Sequence, residues 1–155
     1  MSHHRSSSPQ LETALKNFKQ YPQRIDYQEA VGVALGKKPA ETRLAEYLKL
    51  QETVGKGCDW LNDEIGYELT CNGYHDEALA YWKDRFLEHP GFTSIHKGLE
   101  FALEKFPPAR CLKEIQDLEK KVKVDHGAQW FRKQYIAIQS NMGNYEESLK
   151  ILYEK

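Results

Sequence analysis

Gly73-Tyr74-His75-Asp76-Glu77-Ala78-Leu79 and Gly143-Asn144-Tyr145-Glu146-Glu147-Ser148-Leu149 stand 70 residues apart, and each glycine follows a tryptophan, Trp60 or Trp130, by 13 residues. A tryptophan, a glycine, an acidic helix start and a small residue before leucine thus recur in one register. Seventy residues is about two units of a helix-pair repeat. The echo therefore predicts an α-solenoid, in which each helix pair buries its apolar face against its neighbours and the array offers an extended surface to partners.

Outward from the echo, helical periodicity dominates, and Gly, Pro and polar residues cut the chain into about nine segments, an all-α pattern. Leu11, Leu15 and Phe18 mark a first helix that stops near Tyr21-Pro22, since proline disfavours helix in the residue before it. Asp26 and Glu29 have capping-box spacing for a second, which carries Ala30, Val31, Ala34 and Leu35. Pro39 opens a third, presenting Leu44, Tyr47, Leu48 and Val54 before Gly55-Lys56-Gly57. Three helix pairs follow, 60–72 with 75–88, 94–105 with 108–122, and 128–142 with 145–153, so the clearest repeats are 57–90, 91–125 and 127–155. Residues 10–155 read as one domain, and the polar, aperiodic residues 1–9 as a disordered terminus in which His3 and His4 are inert.

Gly66, Gly73, Ala78, Trp82 and Pro90 resemble the tetratricopeptide repeat at that family's spacing. With Ala78 as the small residue where two helices cross, the matching positions are Ala45, Cys111 and Ser148, separated by 33, 33 and 37 residues against a family unit of about 34. The resemblance implies a right-handed solenoid of antiparallel helix pairs, in which the first helix of each pair lines a concave groove for a protein or peptide. It carries to the groove Trp60, Asp63, Tyr67 and Thr70, then His96 and Glu100, then Trp130, Lys133 and Ala137. The chain departs from the pattern where the family's tryptophan would stand, at Asn62 and Arg132, so Trp60 and Trp130 are displaced by two positions. Two positions turn a side chain by about 200°. Each tryptophan thus either faces a ligand or packs against the preceding pair. An ordinary helical bundle remains the alternative fold. Asp63, Tyr67 and Ala137 occupy places where members that clamp a carboxylate tail need cationic or amide donors, which disfavours acidic tails.

Composition narrows the function further. The chain has 155 residues, enough for a sizeable core, and 22 Lys and Arg against 23 Asp and Glu, a balance that favours neither nucleic acid nor an anionic membrane. RNA readers of related architecture use regular polar columns, which Asp63, His96 and Lys133, or Tyr67, Glu100 and Ala137, do not make. Cys58, Cys71 and Cys111 lack the spacing of a metal or redox site and read as reduced thiols in a cytoplasmic protein. His75-Asp76 is similar to the adjacent His-Asp pair of metal-dependent phosphohydrolases, but the further ligands are missing and the pair suits a helix start. Asp125-His126-Gly127 reads as a turn. No cofactor is called for and no catalytic constellation emerges. Lys120, Lys121, Lys123, Arg132 and Lys133 form a local basic cluster that reads as a solvated helix end. Leu149, Ile151, Leu152 and Tyr153 are too many apolar positions for one buried stripe and predict self-association through the last helix. The expected function is a non-catalytic interaction adaptor. The alternative is a small helical regulatory or assembly factor that uses its exposed C-terminal helix, and RNA binding ranks below both.

Overall fold

The computed structural model describes residues 9–122, 127–144, 146–147 and 150–151. Among them lie eight α-helices and no strand: α1 (Pro9–Gln20), α2 (Ile25–Gly36), α3 (Ala40–Val54), α4 (Asp59–Cys71), α5 (His75–Glu88), α6 (Thr93–Leu103), α7 (Pro108–Lys121) and α8 (Ala128–Asn141). The predicted ninth stretch, 145–153, lies partly outside the described residues. Pro9, assigned to the disordered terminus from sequence, opens α1, where a missing N–H and a fixed φ cost nothing. His3, His4, Lys123, Asp125 and His126 fall outside the described residues.

The echoed glycines have a common structural cause. Gly73 and Gly143 have φ of 82° and 80°, a left-handed backbone that disfavours a side chain. The Gly73 N–H donates to Thr70 O at 3.1 Å and the Tyr74 N–H to Leu69 O at 3.0 Å, while Gly143 donates to Ser140 O at 3.0 Å and Asn144 to Gln139 O at 2.8 Å. Both are Schellman caps, which satisfy the last carbonyls of α4 and α8.

The chain divides into two compact units, the first ending at Tyr74 and the second beginning at His75. In the first, α1 packs on α2, α3 on α4, and α1 on α3. Phe18, Val31, Leu35, Tyr47, Leu61 and Ile65 form its core. Two expectations fail here. The buried stripe of α3 runs through Leu44, Tyr47 and Leu50, so Ala45 and Leu48 are exposed and Ala45 is not a crossing residue. Asp26 does not cap α2; its carboxylate instead pairs with Arg24 at 2.7 Å.

In the second unit α5 packs extensively on α6 and α7 on α8, with a slighter contact of α5 on α7, whereas α6 and α7, the pair predicted from spacing, meet far less than either extensive pair. Gly98 explains the partner choice. A Cβ at Gly98 would come within 2.2 Å of the Trp82 ring, so the buried indole fills the space that glycine leaves on α6. Interhelix distance follows the side chains at the contact, and this one locks α6 to α5. Ala78 and Cys111 are buried, and Ser148 lies outside the described residues. Polar clasps reinforce α5 against α7. Arg110 reaches Asp76 at 3.1 Å and Glu114 at 2.9 Å, and Lys83 pairs with Glu114.

Candidate functional site

A polar and aromatic cluster of the second unit forms where α6 meets α8. His96 and Glu100 stand one turn apart on α6 and Trp130 and Gln134 one turn apart on α8, a spacing that puts each pair on one helix face. Gly127, at φ 82°, starts α8 with its backbone close to Phe86 and the Pro90 carbonyl, where a Cβ would stand 3.1 and 3.3 Å from them. That close start seats Trp130 in the core at 5% exposure, its ring centroid 5.0 Å from Phe86, 5.3 Å from Phe131 and 5.5 Å from His96. The indole N–H donates to Glu100 Oε2 at 2.7 Å, and Gln134 Nε2 donates to the same oxygen at 3.2 Å. His96 Nε2 lies 2.6 Å from the Pro90 carbonyl. A carbonyl only accepts, so this nitrogen carries the proton.

Beyond Glu100, α6, the start of α7 and α8 enclose a groove with a cavity of about 430 Å³. Leu103, Phe106 and Ile138 give it apolar walls, Gln134 and Asn141 supply amides, and its charged lining residues are Glu100 and Glu104. Cys111 also lines it, but its thiol donates to Leu103 O at 3.2 Å and burial pushes its pKa up, away from nucleophilic use. The two nearby cations have partners other than Glu100 and Glu104. Lys105 sits over the Phe101 ring, and Arg110 over Phe106 while it pairs with Asp76 and Glu114.

Three of the candidates read from sequence, His96, Glu100 and Trp130, therefore meet in one place. Of the three only Glu100 lines the groove, as Ala137 does; Trp130 packs in the core behind Glu100, which corrects its assignment to a groove, and Lys133 is exposed on α8. In the first unit Trp60 is half-buried, edge-on to Phe18 at 5.5 Å and Tyr47 at 5.9 Å. Thr70 is a core residue at 2% exposure, its hydroxyl donating to Gly66 O at 3.4 Å, which corrects its assignment to a groove. Asp63 and Tyr67 are half-buried on α4. Glu104 and Gln134 escaped the sequence reading, although their i, i+4 spacing from Glu100 and Trp130 is visible there.

The first unit also carries a polar seam that sequence reasoning missed. Arg43 Nε donates to Glu68 at 2.8 Å and Arg43 also donates to the Lys38 carbonyl at 2.8 Å, while Tyr47 donates to Glu64 at 3.5 Å. Burial, then the charge of Glu68, raises the Glu64 carboxyl above its ordinary range, and burial raises the Tyr47 phenol.

Of the residues assigned to self-association, Leu149, Leu152 and Tyr153 lie outside the described residues. Ile151 is half-buried beside Leu112 and Tyr135, and its carbonyl accepts from Arg132 Nε at 3.1 Å. Lys120 and Lys121 occupy the last turn of α7, where cations suit the dipole. No helix is long and apolar enough to cross a membrane, and no metal-holding group of three His, Cys, Asp or Glu occurs, both among the described residues. No family model, curated protein or solved structure matches this chain.

Proposed function

We propose that this chain is a non-catalytic adaptor that seats a peptide or a protein segment in the groove bounded by α6, α7 and α8. One observation carries the reading: the groove pairs apolar walls with a carboxylate, Glu100, already held by the Trp130 indole and the Gln134 amide. Convergent polar groups over an apolar surface are the usual make-up of a recognition site. A right-handed tetratricopeptide-like array in the cytoplasm belongs to the same proposal, resting on the repeat spacing and the paired glycine caps.

The test is selection from a displayed peptide library on the full chain, with counter-selection on Ala137→Arg, which sets a charged side chain at an exposed position of the groove lining. Sequences that bind the parent and not the variant, with both equally helical by circular dichroism, are expected. Enrichment that survives Ala137→Arg places binding elsewhere and removes the proposal.

A further inference from the structure

We infer that the groove recognises a segment whose anchor is a cationic side chain, lysine or arginine, flanked by apolar residues. This rests on the groove reading above and adds the chemistry of its occupant.

Carboxylates withdrawn from water find different partners across the molecule, and Glu64 in the first unit, with the Tyr47 hydroxyl and no ion pair among the described residues, is held above its ordinary range by burial. Glu68, with 10% of its side chain exposed, is matched by Arg43, and Glu114, at 14%, by Lys83 and Arg110. Glu100 is half-buried and lines the groove, and the donors on its Oε2 are an indole N–H and a carboxamide. Neutral donors orient a carboxylate and leave its full charge in place. None of the ion pairs among the described residues includes Glu100 or Glu104. A partly desolvated charge costs stability unless a counter-charge arrives.

The geometry specifies what arrives. Glu104 follows Glu100 by one turn, and residues so spaced stand about 6 Å apart at Cβ, so an ammonium or guanidinium fits between their carboxylates. Leu103, Phe106 and Ile138 offer surface to the aliphatic stem of such a side chain and to apolar neighbours. The amides of Gln134 and Asn141 suit the backbone of an extended segment. Two carboxylates and no cation in the lining repel an acidic segment.

The probes are acetylated, amidated tripeptides with leucine at both ends and lysine, norleucine or glutamate between, titrated into the ¹⁵N-labelled full chain. The Trp130 indole N–H resonance is the reporter, assigned through Trp130→Phe. The lysine peptide is expected to shift it saturably, norleucine to bind about tenfold more weakly, and glutamate to leave it unmoved. Affinity for the lysine peptide should fall as salt rises from about 50 to 300 mM. Glu100→Gln keeps an oxygen for the indole and removes the charge, so it should abolish the preference for lysine over norleucine. Glu104→Gln, at an exposed position, should reduce that preference and guards against misfolding of the first variant. Equal affinity for lysine and norleucine overturns the inference and leaves an apolar groove standing. No shift from any of the three overturns the inference and the groove reading together.

Discussion

In the first unit Glu68 lies against Arg43 and its charge is answered within the fold; in the second, Glu100 lies against Trp130 and Gln134 and its charge is not. The two tryptophans of the echo differ in the same way. Trp60 is half-buried and touches Phe18 and Tyr47 edge-on, whereas Trp130 is enclosed and directs its N–H to a carboxylate that lines a groove. A paired charge serves architecture. A charge that is oriented, left without a cation and set on the wall of a groove suits recognition, because the incoming partner then supplies the missing half of the pair.

The largest test of this contrast removes each indole. Trp130→Ala should cost about 4 kcal/mol in urea unfolding followed by circular dichroism, and Trp60→Ala about 2 kcal/mol. Equal losses would break the distinction between an enclosed and a half-buried ring. Two glycines that face tryptophans sharpen it next. Gly98→Ala drives a methyl into the buried Trp82 ring and should destabilise by about 3 kcal/mol, since neither the indole nor the packed helix gives way easily. At Gly32 a Cβ would meet Trp60 at 3.7 Å, ordinary contact, so Gly32→Ala should gain up to about 1 kcal/mol from helix propensity alone.

Arg43→Ala should cost about 2 kcal/mol at neutral pH by leaving Glu68 without its cation, and Arg43→Leu with Glu68→Leu should recover most of the loss. Recovery is the decisive readout, because a seam that only holds the fold tolerates apolar replacement. The smallest effect concerns Glu64, whose folded-state pKa is raised by burial and then by Glu68. The folded state then binds its proton more tightly than the unfolded chain, so this stability is present below the ordinary value of 4.5 and is lost as pH rises through the folded-state value. Glu64→Gln should melt higher than the parent at pH 7, with the advantage vanishing below pH 4.5. A pH-independent difference would show that burial of Glu64 carries no electrostatic cost.

Local signals were legible where the cause was local. Gly73 and Gly143 announced helix ends because a left-handed residue favours glycine, and the caps use only neighbouring backbone. Pro22, Pro39 and the Pro107-Pro108 turn bound helices for the same kind of reason. Asp26 failed as a cap because α2 begins at Ile25 with Arg24 in the N-cap position, so Asp26 falls inside the first turn, where its carboxylate pairs with Arg24. Ala45 failed because small size marks a candidate for close crossing, while the burial of Leu44, Tyr47 and Leu50 decides which face turns inward. His96, Glu100 and Trp130 were found individually as positions along helices; their convergence, and the part played by Gln134, was not.

By itself, the sequence determined the all-α class, the places where helices stop and the recurrence of one capped tryptophan helix, since backbone conformation and capping act within a few residues of their cause. Tertiary structure alone decided that α6 takes α5 as its close partner, through the space Gly98 yields to Trp82, and that Glu100 is held by neutral donors from a helix 30 or more residues away. Partner choice and charge compensation depend on which surfaces meet, and periodicity along one helix records only the face it presents.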